Sequence, residues 1–270
     1  MTLELIDIGA NLTHDTFNVD RDEVIRRAES AGVLRMIITG GSEQGSRDAL
    51  SLAAKYPGQM YSTAGVHPHH ASEYSDSVQQ TLIELLGHDA VVAVGECGLD
   101  YFRNFSPVAD QRNAFQRQLE LAEECQLPAF LHQRDAHDDF IDILQPMLGK
   151  IPRAVAHCFT GRESELREYI DMGLYIGITG WICDERRGAH LQEIVGLVPD
   201  DRLMLETDAP YLLPRSLTPK PKSRRNEPHY LREVLRVVAK SMGRSEEDIA
   251  RLSRENAERF FGIGTSQVGS

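Results

Sequence analysis

Glu96, His132, His157 and Asp208 lie far apart in the chain, yet each closes a short apolar run. The runs are VVAVG before Glu96, PAFL before His132, RAVA before His157 and RLMLET before Asp208. A carboxylate at the end of a buried strand is costly without a partner. Carboxylate oxygens and imidazole nitrogens are ligands for Zn²⁺, Mn²⁺ and, for the oxygens especially, Mg²⁺. A shared divalent cation would supply the missing partner. It would act as a Lewis acid on a phosphoryl or carbonyl oxygen and make a bound water more acidic. Asp208 could hold the metal or take a proton from that water. A single strand-end His is more often a hydrogen-bonded structural residue, and a single strand-end Asp is often an N-cap. Four such residues at four strand ends favour a metal site.

Other candidates are less sharp. His67, in GVHPHH, reads equally as a ligand, a substrate contact or a loop anchor, with Pro68 stiffening the turn after it. His69 and His70 read as solvated loop residues. Cys97 and Cys158 should alternate away from Glu96 and His157 on extended backbone, as buried small residues. No Ser/His/Asp order, Gly-rich phosphate loop or dinucleotide fingerprint stands out.

The elements that must position these side chains alternate along the chain. Near-continuous apolar runs at 3–9, 35–40, 60–66, 91–96, 128–132, 153–157, 174–180 and 202–207 read as strands of a parallel sheet buried on both faces. Amphipathic stretches at about 20–31, 43–55, 76–87, 107–125, 137–149, 162–172, 187–198, 228–240 and 245–261 read as helices. Ser106-Pro107 predicts a cap with a first-turn proline, and Thr160 with Glu163 resembles a capping box. Eight such units are the count of a TIM (β/α)8 barrel, although a doubly wound sheet gives the same alternation. The barrel reading places chemistry where the strands end.

The chain has 270 residues, 41% hydrophobic and 26% charged, which suits one barrel domain over 1–270. No stretch approaches a membrane span. The start, MTLELIDIGANLT, has neither a basic region nor a long apolar segment, so no signal peptide is expected. Four scattered cysteines without a CxxC fit a reducing, cytoplasmic setting. A net charge of −12 argues against a broad nucleic-acid coat or an anionic membrane surface. A local basic mouth remains compatible with it.

Basic residues cluster after the seventh and eighth strands: Arg186 and Arg187 in WICDERRG, and Lys220, Lys222, Arg224 and Arg225 in TPKPKSRRNEP. They read either as solvated loops or as a rim gripping phosphates, because loops after strands seven and eight often bind phosphate in barrels. Arg103 and Arg134 would lie on the same face. Tyr101, Phe102, Phe105, Trp181 and Tyr211 lie near these loops and could stack on bases.

The segments GVHPHH, GECGLDYFRNFS, LHQRDA, AHCFTG, YIGITGWICDERRG and ETDAPYLLP, taken in order, resemble the motif series of the TatD-type metal-dependent deoxyribonucleases. DIGANLT, GWICDERRG and LTPKPKSRRNEP look closest to bacterial members. The resemblance covers essentially the whole chain. It implies an amidohydrolase-like TIM barrel, a divalent metal, and 3′-to-5′ exonuclease action on DNA and RNA 3′ ends with single strands preferred, in DNA repair or nucleic-acid turnover. It assigns Glu96, His132 and His157 as metal ligands, Asp208 as a ligand and catalytic residue, and His67 as a neighbour of the site. A monomer is the expected state. Many relatives carry His-x-His at the end of the first strand, where this chain has Gly9 and Asn11. The loss of two imidazoles predicts one firmly held metal and favours Mg²⁺ over Mn²⁺ or Zn²⁺.

Two other readings use the same residues. A metal-dependent amide or lactone hydrolase would need a closed small-molecule pocket without a basic rim. A degenerate barrel that binds nucleic acid without turnover is suggested by Gly9 and Asn11 and opposed by the four retained ligands.

Overall fold

In the computed structural model, which describes residues 3–264, eight parallel strands form one sheet in the order β1 to β8. They are β1 Leu5–Ala10, β2 Val33–Ile38, β3 Met60–Ala64, β4 Val91–Asp100, β5 Ala129–Arg134, β6 Ala154–Ala156, β7 Tyr175–Ile178 and β8 Leu203–Leu205. The ring closes where β8 returns to β1: Asp208 N–H donates to Gly9 O at 2.8 Å and Asn11 N–H to Ala209 O at 2.7 Å. This is the (β/α)8 barrel.

The helices are α1 Arg21–Ser30, α2 Glu43–Ala53, α3 Asp76–Leu86, α4 Val108–Cys125, α5 His137–Leu144, α6 Glu163–Asp171, α7 Ala189–Ile194, α8 Leu231–Met242 and α9 Glu246–Phe261. Their apolar faces pack on the outside of the barrel. The lumen is filled by Ile6, Ile8, Ile37, Val92, Phe130, Val155 and Met204, and Phe260 and Phe261 of α9 join the same cluster. These side chains shut one end of the barrel, so chemistry is confined to the other. No described helix is long and apolar enough to cross a membrane.

Two expected caps form differently. Ser106 does not cap α4; its hydroxyl bonds His69 O at 3.0 Å, and Pro107 takes the N-cap position. The start of α6 is one turn feature later than Thr160–Glu163: Glu165 accepts from the Arg162 N–H at 2.7 Å. In the first case a tertiary contact outcompetes the local pattern; in the second a local bond two residues further on replaces it.

The fourth strand runs four residues past its expected end at Glu96. Cys97 to Asp100 pair with Leu131 to Arg134 of β5 after a register break between Gly95 and Cys97. A Cβ on Gly98 would lie 1.9 Å from His132 O, so only glycine lets the two strands approach this closely. Glu96 therefore sits inside a strand, at its irregular point, and Asp100 is the residue at the strand's end.

Candidate metal centre and active site

Strand periodicity carries side chains from the lumen to the site. Phe130 and Val155 fill the lumen, and two residues on, His132 and His157 stand above them. On β8, Met204 fills the lumen, Glu206 follows, and Asp208 comes last, with a φ of +54° that turns it out of the strand. The break in β4 brings in Glu96 from the neighbouring side.

Three imidazoles meet one carboxylate oxygen. Glu96 Oε1 lies 2.7 Å from His157 Nε2, 3.1 Å from His132 Nδ1 and 3.4 Å from His67 Nε2. Burial alone would push the Glu96 carboxyl up, but the charges of His157 and His67 and the bonds from His132 and His157 hold it well below the usual carboxylate range. Burial pushes His67 down to about 4, so this ring is neutral. His132 and His157 go the other way: burial lowers each, and the carboxylates around them more than reverse it.

The second nitrogen of each ring decides what the first can do. His157 Nδ1 lies 3.2 Å from Glu206 Oε2 and Nε2 lies 2.7 Å from Glu96 Oε1, so a proton kept at Glu206 leaves Nε2 as the nitrogen that would face a cation in place of its bond to Glu96. His132 Nε2 lies 3.5 Å from Asp100 Oδ2 and, though buried, has no hydrogen-bond partner. A proton on that nitrogen faces a carboxylate and leaves Nδ1 free beside Glu96. His67 is different. Its Nδ1 accepts the His69 N–H at 3.1 Å, which puts the ring's one proton on Nε2, aimed at Glu96. His67, Glu96 and His132 are close enough together to hold an ion, but on this tautomer His67 has no lone pair to give it.

Glu96 Oε1 thus has His132 Nδ1 and His157 Nε2 facing it, groups of the kinds that hold divalent cations. Each imidazole is backed by a carboxylate, Asp100 for one and Glu206 for the other, as metal-binding histidines require. Asp208 opens onto the same cavity of about 970 Å³. Its Oδ1 accepts from Asn11 Nδ2 at 2.9 Å, and burial pushes its carboxyl up to about 7. An acid raised this far lacks a sufficient positive partner among the protein groups, which a cation would provide.

Glu206 and Asp100 are the site residues that sequence reasoning passed over. Glu206 is fully buried, beside the His157 ring, and also accepts the Cys158 N–H. The available signal was an acid inside ETD at the end of an apolar strand. Asp100 accepts from His69 Nε2 at 2.8 Å, so His69 belongs to the site and is not a solvated loop residue. His70 does stay at the surface, paired with Glu73. Cys97 is buried in the core as expected, whereas Cys158 lines the metal cavity. Burial and the nearby Asp208 and Glu206 push the Cys158 thiol well up.

The basic candidates divide. Arg103, Arg134, Arg187 and Trp181 line the metal cavity with Phe102, Phe105 and Tyr211. The Arg134 guanidinium lies 4.2 Å from the Phe102 ring centre and 5.8 Å from that of Trp181, and Arg187 lies 4.3 Å from Trp181 on their own pairing. Tyr101 lines a neighbouring cavity instead and donates to Asp139 at 2.6 Å. Arg186 and Arg187 are both drawn to Asp184, with Arg186 outside the cavity wall. Arg225 is committed elsewhere. It pairs with Asp20 and Glu227, both at 2.7 Å, and stacks on Phe17, tying the β8–α8 loop to α1. Arg224 is exposed and lines neither cavity.

The model of the family described as TatD related DNase matches residues 6–262. The chain belongs to that family. A TatD relative from Erwinia billingiae, named 3′-5′ ssDNA/RNA exonuclease TatD, is 52% identical over 257 residues, covering 95% of this chain and 98% of its own. The Salmonella typhimurium protein of the same name is 49% identical over 259 residues, covering 96% and 99%. Among solved structures, a TatD homologue from Escherichia coli superposes with a TM-score of 0.88 at 28% identity, over 98% of this chain and all of that one.

Proposed function

We infer that this TatD-family barrel is a metal-dependent exonuclease that removes nucleotides from the 3′ ends of single-stranded DNA and RNA. The observation that carries the reading is the Glu96–His132–His157 donor set at the open end of the barrel, beneath a rim of arginines and aromatic rings. The near-full-length similarity to proteins named as 3′-5′ ssDNA/RNA exonucleases supports the substrate and the direction.

A divalent cation held by Glu96, His132, His157 and Asp208 supplies positive charge for a phosphoryl oxygen and lowers the pKa of a water. Mg²⁺ is the proposed working ion, with Mn²⁺ and Zn²⁺ able to substitute. The chain's own residues do the rest. Asp100 and Glu206 hold the two ligand imidazoles in the tautomers that face the centre. His67, neutral and protonated on Nε2, donates toward the reacting group and does not bind the ion. Asp208 orients water for in-line attack on phosphorus. The bond from phosphorus to the upstream 3′ oxygen breaks, that oxygen takes a proton, and a nucleoside 5′-monophosphate leaves. Arg103, Arg134 and Arg187 hold phosphates, and Phe102, Phe105, Trp181 and Tyr211 offer faces on which unpaired bases stack. A single barrel acting as a monomer is sufficient for all of this.

The test is digestion of end-labelled single and double strands with Mg²⁺, Mn²⁺ and Zn²⁺ in turn, alongside esters and lactones. Stepwise release from the 3′ end of single strands, abolished by EDTA, is expected. Turnover of the lactones alone would replace this reading with a small-molecule hydrolase, and binding without turnover would leave a nucleic-acid-binding barrel.

A further inference from the structure

A second cavity of about 710 Å³ adjoins the metal cavity, bounded by the loops after β5, β6 and β7. The two share Arg134, His157, Trp181 and Arg187 as lining residues. His157 is a ligand of the metal centre, so the second cavity opens directly beside the reacting phosphate. We propose that it is the subsite for the nucleotides immediately upstream of the scissile bond, on the opposite side of the phosphate from the nucleotide being released. This rests on the exonuclease reading above and deepens it.

A phosphodiester carries a nucleoside on each side. A centre that cuts between them needs two spaces meeting at the phosphorus, and here two cavities meet at His157. Three of the shared residues, with Phe102 of the metal cavity, make a ladder of alternating rings and guanidiniums: Phe102, Arg134, Trp181, Arg187. Guanidiniums interleaved with rings suit a strand, because phosphates and bases alternate along it at a comparable scale.

The second cavity's own lining matches a nucleoside. Tyr101 brings aromatic surface in front of the buried Phe159 and Tyr169, while Thr160 brings a hydroxyl and Gln133 and His190 bring polar groups that also bond the Tyr169 hydroxyl and the Thr160 and Gly161 carbonyls. His137 Nε2 is paired with Glu168 at 2.8 Å, but its Nδ1 is buried without a partner. Its size lies within the range of ordinary ligand cavities, about 300–1,000 Å³. The outer rim decides which nucleoside goes where. Arg162 stands exposed at the mouth of the second cavity and makes no ion pair among the described residues. The far rim of the metal cavity instead carries Asp15 and Asp48, which would repel a continuing strand. The second cavity also has acids, Asp135, Asp138, Asp139 and Glu165. Asp139 is paired with Arg112, and Glu165 accepts the Arg162 N–H, while Asp135 and Asp138 have no cationic partner among the described residues and stand against the guanidiniums of the same cavity. Arg162 and Arg134, with Arg187 held beside them by Asp184, are the cations placed to meet the backbone.

Two substrates separate this from the parent reading. A decathymidylate has an upstream strand. The p-nitrophenyl ester of thymidine 5′-monophosphate keeps the released nucleotide and replaces everything upstream by nitrophenol. Wild type is expected to turn over both. In Arg162→Ala, and in Thr160→Trp, which fills the cavity, kcat/KM for the oligonucleotide relative to the ester should fall about tenfold. A ratio unchanged within twofold in Arg162→Ala overturns the subsite, whatever becomes of the bulkier variant. If wild type releases neither nucleotide nor nitrophenol with any of the metals, the nuclease reading falls and takes the subsite with it.

Discussion

Gly9 and Glu206 occupy complementary halves of one space: a Cβ on residue 9 would lie 2.5 Å from Glu206 Oε2 and 3.2 Å from the Phe130 ring. Gly177 faces the same carboxylate, with its Cβ position 2.5 Å from Oε1. The absence of an imidazole at position 9 is therefore matched by an acid that fills its place. Gly9→Ala should destabilise the fold by about 1–3 kcal/mol through overpacking. It should also weaken metal binding, because Glu206 must move from His157. Thermal unfolding with and without Mg²⁺ checks both. A variant as stable and as metal-competent as wild type would show that Glu206 is not confined.

Glu206→Gln keeps the shape but loses the charge behind His157. Loss of such an outer partner typically weakens metal binding about 10–100-fold. Titration calorimetry with Mn²⁺ reads this directly, and Glu206→Ala should be worse, since it also opens a cavity and frees the Cys158 N–H.

Glu96→Gln removes the negative charge that all three imidazoles face. Nucleotide release should drop by about 10³-fold or more, a scale set by the loss of a main electrostatic contact at the reacting centre. Far-ultraviolet circular dichroism should be unchanged. Wild type dialysed without chelator is expected to keep about one ion, and two tightly retained ions would contradict the single donor set described here.

Trp181→Ala removes the ring that lies between the two guanidiniums of the Phe102–Arg134–Trp181–Arg187 ladder. One stacked base is worth about 1–3 kcal/mol, so KM for single strands should rise by about tenfold with little change in kcat. Arg134→Ala should raise KM and flatten its dependence on salt, because a phosphate contact and its counterion release are lost together.

Arg225 acts on stability. Burial alone would raise Glu227, but His229, Arg27 and Arg225 together lower it from its ordinary 4.5 to about 2. A depressed carboxyl stabilises the fold fully above its unfolded pKa and loses that contribution as pH falls through the folded value. This cluster therefore holds the β8–α8 loop above about pH 4.5 and releases it toward pH 2. Arg225→Ala should cost about 2 kcal/mol near neutrality and move acid unfolding to higher pH, while leaving the rate at saturating substrate near wild type. Denaturant melts across the acid range measure it.

Much of this architecture is written locally. Apolar runs of strand length alternating with amphipathic stretches dictate a parallel sheet covered by helices, and the count of eight favours a barrel over a doubly wound sheet. Glu96, His132, His157 and Asp208 stand out because titratable groups at the ends of apolar runs have few bland explanations. What the linear order could not reveal is whatever depends on approach between strands. The break in β4 that moves Glu96 into the strand interior exists because Gly98 permits contact with His132 O. Glu206 acquires its role only from His157, 49 residues away, and from the space left by Gly9 and Gly177. Arg225, one of a run of surface-looking cations, is drawn inward by Asp20, at the start of α1 and 205 residues earlier. Residue type sets which chemistry is available. The closing of the ring sets which nitrogen of each imidazole is free to perform it.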